Sequence, residues 1–297
     1  MGKKGKKAQA GKPKKLTPKD IGKRMDALVK KLEEELDGAD LFAPIPPTED
    51  CAICFVRLPR TSEKIGKYYQ ACCGKDLCGA CYKENEESIK KQKNAGKKVA
   101  LTCPFCREPE PTSGPEYMQQ VRAKCEVNHH VALTLMGNRY QSGEYESTPK
   151  DELKALDCWI RAVENGSTGI GACGHIADAY NNGRGVAVNK ERGFLFYRAG
   201  ALRGEVTARY NVGLHEYYDF GNHDIGIRHW KIAAEAGDQE SLIQLRDIYN
   251  AEGEFAGKEF ISKEEMDTIY RSGHGAQMEV KSVEREKHSK DDESMVF

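Results

Sequence analysis

Eight of the eleven cysteines fall into four pairs: Cys51-Ala-Ile-Cys54, the doublet Cys72-Cys73, Cys78-Gly-Ala-Cys81 and Cys103-Pro-Phe-Cys106. Two intervening residues let a chain turn so that both sulfurs face one point, and thiolates sit about 2.3 Å from zinc at the corners of a tetrahedron. Four pairs within 56 residues supply eight sulfurs, enough for two closed four-sulfur sites. Soft thiolates in that geometry select zinc, with an iron–sulfur cluster as the minority alternative. The spacing therefore predicts two structural zinc ions. Disulfides would need an oxidising compartment. The N-terminus has charge but no apolar run behind it, so no secretory leader is expected and the thiols should stay reduced.

The doublet tests this reading. Successive Cα atoms are about 3.8 Å apart, close to the separation of two sulfurs on one tetrahedral zinc. Neighbours can share an ion if the backbone is not extended, because strand neighbours point to opposite faces. Gly74 permits such a kink. Cys73 then stands where such sites often carry a histidine; the nearest downstream histidine is His129. The alternative is that only one of the doublet binds.

This arrangement resembles a RING finger in its eight-cysteine form, over residues 51–106. The resemblance implies that the first and third pairs hold one zinc (Cys51, Cys54, Cys78, Cys81), and the second and fourth hold the other (Cys72, Cys73, Cys103, Cys106). It also implies recruitment of a ubiquitin-conjugating enzyme. The family's contact positions fall on Ile53, between the first two ligands, Pro104, after the seventh, and Arg107, after the eighth. Arginine suits that last place because its planar fork donates several hydrogen bonds at fixed angles. A RING of this kind has no catalytic nucleophile of its own; it orients the partner's ubiquitin thioester. Two features depart from the family pattern. Asn85 stands where many RINGs carry a large apolar residue, and the spacer between Cys81 and Cys103 is long and carries "KKQKNAGKK".

A second pattern follows. "NRYQSG", "DAYNNG" and "EYYDFG" each place an aromatic three residues before a glycine: Tyr140 and Gly143, Tyr180 and Gly183, Tyr218 and Gly221. Further on, Trp159, Tyr197 and Trp230 each stand seven residues before Gly166, Gly204 and Gly237. Periods of roughly 33–40 residues are those of helix-pair repeats. These blocks resemble Sel-one-like repeats, relatives of the tetratricopeptide type. The resemblance implies an all-α solenoid that binds a protein substrate or adaptor. The third copy lacks the glycine-rich connector "NNGRGVAVNKERG" of the second.

The elements that must carry these features read as follows. Residues 1–16 form a basic tail expected to be disordered, the first 31 residues holding eleven lysines and Arg24 against Asp20 and Asp26. Residues 17–47 hold a helix capped by Thr17, with Ile21, Met25, Leu28, Leu32 and Leu36 at helical spacing, and a proline-rich linker. This helix is expected to pack on its own chain, fraying at Glu33–Glu35 where acids oppose the helix dipole. The zinc domain spans 48–110 and the repeats 117–252. A short helical cap spans 253–277, opened by a Ser262–Glu265 capping box, and 278–297 is a charged, disordered tail.

At 297 residues, with equal numbers of acidic and basic side chains, the chain suits about two domains. No run of eighteen apolar residues is present, so no membrane span is expected, and a cytoplasmic or nuclear place follows. The leading function is a RING-type ubiquitin ligase. The alternative is a non-catalytic zinc-dependent scaffold, and a third reading is nucleic-acid binding through the basic arm. Aromatics are not interleaved with those lysines, so base stacking has little support. "GIGACG" at 169–174 matches a dinucleotide fingerprint literally but lacks the preceding strand, and is read as a helix start. His129 and His130 are read as a helix-surface pair, and Cys125, Cys158 and Cys173 as small buried apolar residues.

Overall fold

The computed structural model describes residues 16–58, 67–143, 148–167, 171–251 and 261–272. Of the tails read as 1–16 and 278–297, residues 1–15 and 278–297 lie outside these residues, while Leu16 is described and packs against the core. Helix α1, Pro18–Leu36, opens with a capping box: Thr17 Oγ1 accepts from the Asp20 backbone N–H, and the Asp20 carboxylate accepts from the Thr17 backbone N–H. The strands β1, Lys67–Gln70, and β2, Lys75–Cys78, pair antiparallel with Gln70 opposite Lys75. Helix α2 follows at Gly79–Asn94.

The remaining elements among the described residues are helices. Helix α3 spans Gly114–Glu126, α4 His130–Ser142, α5 Glu152–Glu164, α6 Ala172–Asn182 and α7 Lys190–Leu202. Helix α8 spans Val206–Leu214 and continues into a π-helical turn, His215–Asp219; α9 spans His223–Glu235 and α10 Gln239–Ala251. Residues 263–272 form a further helix, α11, capped by the Ser262–Glu265 box. The pairs α4/α5, α6/α7 and α8/α9 are successive helical hairpins. In the first two, the leading helix ends on a glycine at positive φ, Gly143 (67°) and Gly183 (69°), a conformation open to glycine at little cost.

One apolar core runs through α1 and α3–α8, and a second joins α9, α10 and α11. Helix α1 lies across the second helices of the first two hairpins, α5 and α7, and buries Ile21, Met25, Leu28, Val29, Leu32 and Leu36. Six such side chains represent on the order of 10 kcal/mol of gross burial, so α1 is a structural layer of the array. Its register is marked by ion pairs of Arg24 with Asp157 and Glu164, Asp26 with Arg192, and Glu35 with Arg203. The helix continues through Glu33–Glu35 to Leu36, where fraying was expected. Glu35 finds both Arg203 and Lys31, which offsets its poor place on the dipole.

The segment after α1 continues along the array. Arg209, almost fully buried on α8, donates to the Leu41 carbonyl at 2.6 Å. Phe42 lies between the Arg228 guanidinium, 3.8 Å from its ring centroid, and the His229 ring at 4.8 Å.

The third hairpin corrects one sequence expectation. Tyr218 was aligned with Tyr140 and Tyr180, yet Tyr218 is 63% exposed. Tyr217 instead packs on Trp230, ring centroids 5.1 Å apart. Both tyrosines lie within the π turn, which carries more residues per turn than an α-helix, so the spacing of the other repeats no longer sets Tyr218 on the packed face.

Candidate metal centre

The eight cysteines gather into two groups, Cys51 with Cys54, Cys78 and Cys81, and Cys72 with Cys73, Cys103 and Cys106. Within each group all four sulfurs lie within 4.8 Å of one another. The groups interleave along the chain, first pair with third and second with fourth.

Local structure explains the grouping. In the first knuckle the Cys51 N–H donates to the Val56 carbonyl at 2.8 Å and the Phe55 N–H to the Cys51 carbonyl at 3.0 Å. The second knuckle repeats this: Cys103 N–H to Glu108 carbonyl at 2.8 Å, and Arg107 N–H to Cys103 carbonyl at 2.9 Å. Each places the residue after its second cysteine in the left-handed region, Phe55 at φ 59° and Arg107 at φ 64°. Such conformations cost non-glycine residues about 1–3 kcal/mol and persist only where the surroundings over-determine them. The doublet occupies the β1–β2 turn, with Gly74 at φ 79° and its N–H on the Gln70 carbonyl at 2.7 Å. The backbone there is not extended, so Cys72 and Cys73 reach one group. Cys78 and Cys81 flank the first turn of α2, whose positive dipole end favours thiolates.

The donor set fits a soft divalent cation. Sγ separations are 3.6 Å for Cys54–Cys78, 3.4 Å for Cys72–Cys106 and 3.9 Å for Cys73–Cys103. These are far longer than a disulfide's ~2.05 Å and close to the edge of a tetrahedron of sulfurs about 2.3 Å from its centre. Burial pushes the Cys73 thiol up to about 11 and raises Cys72 and Cys81 further, with neighbouring thiols adding to the effect. At Cys51 burial opposes ionisation, but the backbone N–H groups of Cys54, Cys78 and Ile53 outweigh it and lower the thiol to about 7. A bound cation would remove the remaining penalty, since ligation requires deprotonated thiols. The module's buried cluster among the described residues is small, Leu58 and Leu77 beside Cys51 and Cys81.

The other predicted positions are placed as follows. Ile53 is 39% exposed on the first knuckle, and Arg107 is exposed and Pro104 half-buried on the second. Phe55 and Phe105, which sequence reasoning did not single out, are 77% and 47% exposed beside them. Asn85 turns inward: its side-chain amide donates to the Thr102 carbonyl at 2.9 Å, tying α2 to the residue before Cys103. The spacer lysines Lys90, Lys91, Lys93, Lys97 and Lys98 are exposed at the far end of α2 and just beyond it.

The histidine pair departs from expectation. His129 precedes α4 instead of standing on its surface; its Nδ1 lies 3.3 Å from the Tyr69 hydroxyl, and its ring stacks on His130. Its Nε2 would lie 2.6 Å from a Cβ on Gly74. The pair therefore joins the cysteine module to the helical array, a role invisible in a sequence that does not show which turn faces α4. Cys125, Cys158 and Cys173 are buried. The glycine-rich stretch leads into α6 with Gly171 as its cap; positions 169 and 170 lie outside the described residues. No described helix is long and apolar enough to cross a membrane.

Comparison with known proteins identifies the array. The family model of the Sel1 repeat matches residues 130–167, 171–205 and 206–238, one helical hairpin each. A protective antigen of uropathogenic Escherichia coli is 30% identical over 46% of this chain and 29% of its own, with a TM-score of 0.40. This chain thus spans less than a third of that protein's length. A Sel1 repeat protein of Oxalobacter formigenes is 21% identical over 66% of this chain and 78% of its own, with a TM-score of 0.47. No curated protein matches the chain. The three hairpins from α4 to α9 thus each match the Sel1 repeat.

Proposed function

We propose that this chain is a protein-interaction scaffold in which a two-zinc module is mounted on a Sel1-repeat array. The interleaved grouping of eight sulfurs around a small apolar cluster, Leu58 and Leu77 beside Cys51 and Cys81, supports the metal. Cys51, Cys54, Cys78 and Cys81 would hold one ion, and Cys72, Cys73, Cys103 and Cys106 the other. The ions act structurally: each ties sequence-distant turns together and contributes on the order of 10 kcal/mol to folding. Sel1 repeats suit protein binding because stacked hairpins present an extended surface.

A second reading, a RING-type ubiquitin ligase, is favoured by one observation. The two knuckles expose Ile53, Phe55 and Phe105 together with Arg107, and isolated domains rarely expose large apolar side chains in clusters without a partner. A ubiquitin-conjugating enzyme is the partner that the RING resemblance implies. One assay separates the readings: purified, zinc-loaded chain is incubated with ubiquitin and a panel of charged conjugating enzymes. A ligase builds ubiquitin chains, and Ile53→Ala and Arg107→Ala abolish this while leaving two zincs bound. A scaffold accelerates transfer with no enzyme of the panel.

A further inference from the structure

Gly22 stands inside α1, where glycine costs about 1 kcal/mol relative to alanine. Nothing among the described residues demands it: a Cβ at Gly22 would meet none of their atoms within 4 Å. Pro18, Gly22 and Asp26 form one i, i+4 row along α1. At Asp26 the row is closed against α7 by the Arg192 ion pair at 2.8 Å. At Gly22 it parts from the α6–α7 connector and leaves a cleft of about 440 Å³. Tyr180 lies at its base, held by Arg192, whose Nη1 donates to the tyrosine hydroxyl at 3.3 Å. Val186 and Val188 line the opposite side, Val188 being 61% exposed.

The connector is itself unfinished. Among the described residues, Val186, Ala187 and Val188 make no backbone hydrogen bond, and Asn189 beyond them is extended. Free N–H and C=O groups on a connector that is neither helix nor strand can pair with an added strand. The solvent side of the α1 lip carries Lys19, Lys23 and Lys30, all exposed. Asp26 is neutralised by Arg192, Asp20 is turned to the far side of α1 by its capping box, and Lys190 and Glu191 balance on the other lip.

From these features we infer that the cleft receives an extended segment of a partner protein, with a bulky apolar side chain flanked by carboxylates. The apolar side chain packs over Gly22 and Tyr180, the segment's backbone pairs with residues 186–188, and its carboxylates face the α1 lysines. Gly22 is the opening through which the anchor enters. This gives the scaffold reading a specific peptide site, remote from the cysteine module.

The test uses the full zinc-loaded chain and a fluorescein-labelled peptide, Ser-Glu-Val-Phe-Val-Glu-Ser. Saturable anisotropy is expected, with nuclear magnetic resonance shifts at the Val186 and Val188 methyls. Filling the cleft by Gly22→Met should weaken binding at least tenfold while the melting temperature stays equal or rises. Peptides with lysine for both glutamates, or alanine for phenylalanine, should bind at least tenfold more weakly. The inference is overturned by unsaturable binding, by shifts mapping elsewhere, by undiminished binding to Gly22→Met, or by equal binding of the lysine peptide. The ligase and zinc assays do not report on this cleft, so failure here leaves those readings standing.

Discussion

A Cβ added to Gly137 would lie 2.3 Å from Nε1 of Trp159, and one added to Gly213 would lie 2.4 Å from Nε1 of Trp230. In each case a glycine of the repeat's first helix admits the indole of its second. The middle repeat has the smaller Tyr197 in the tryptophan's place, and Ala177 occupies the glycine's place, six residues before Gly183 as Gly137 is before Gly143. Small residue and large ring vary together.

Gly137→Ala is therefore expected to destabilise the chain, although alanine favours a helix by about 1 kcal/mol. Overpacking costs about 1–3 kcal/mol, and Trp159 cannot easily retreat because its Nε1 donates to Asn138 at 3.0 Å. A net loss of about 1–2 kcal/mol should appear in urea unfolding. Adding Trp159→Tyr should recover part of it, giving a coupling above about 0.5 kcal/mol. A Gly137→Ala protein as stable as the parent would refute this pairing.

The cysteine groups and the repeats were legible because their signals are local. A C-x-x-C pair and an aromatic ahead of a glycine need no knowledge of the distant chain. The glycine–tryptophan pairing left a weaker trace, hidden because connector lengths change its spacing from repeat to repeat. Other features were not legible at all. Nothing near Glu205 in sequence says that its buried carboxylate accepts the Cys173 and Gly174 N–H groups at 3.1 and 3.0 Å, capping α6 in place of the side chain Gly171 lacks. Nothing near Leu41 announces Arg209, and the amphipathic stripe of α1 specified burial without specifying α5 and α7 as its cover.

Metal removal should divide the molecule. The cysteine module's own buried cluster is small, Leu58 and Leu77 beside Cys51 and Cys81, whereas the array has a core running through α1 and α3–α8. Elemental analysis should find two zincs per chain, falling to one in Cys73→Ser. A strong chelator should abolish amide protection over residues 67–106 while far-ultraviolet dichroism keeps most of its helical signal. Protection surviving in chelator would exclude a structural metal.

The contact of Gly74 with His129 should govern how the module is held. Gly74→Ala would strain a φ of 79° and drive a Cβ to 2.6 Å from Nε2 of His129, at a cost of about 2 kcal/mol on the scale of backbone strain. Zinc content should stay at two, while hydrogen exchange quickens at Tyr69 and the start of α4. His129→Ala added to this variant should relieve the clash and restore part of the stability. Unchanged exchange in Gly74→Ala would show that the junction does not carry the docking.

His229 should make the chain acid-sensitive. Its side chain is buried against Phe42, and burial, reinforced by Arg209, Arg198 and Arg228, lowers its pKa to about 4. An unfolded histidine titrates near 6.5. Above that pH both states are neutral, and the residue adds no pH dependence. As pH falls from 6.5 towards 4 the unfolded state takes up a proton that the folded state refuses, so stability is lost, reaching about 3 kcal/mol. His130 and His175, also lowered chiefly by burial, act in the same direction, and carboxylates add their own dependence. The discriminating quantity is thus the difference between the parent and His229→Phe, which keeps a ring beside Phe42 but cannot titrate. Measured by urea unfolding, the variant should gain about 2–3 kcal/mol on the parent between pH 7 and pH 4. Parallel stability curves for the two proteins would show that His229 is protonated in the folded chain as readily as in the unfolded one.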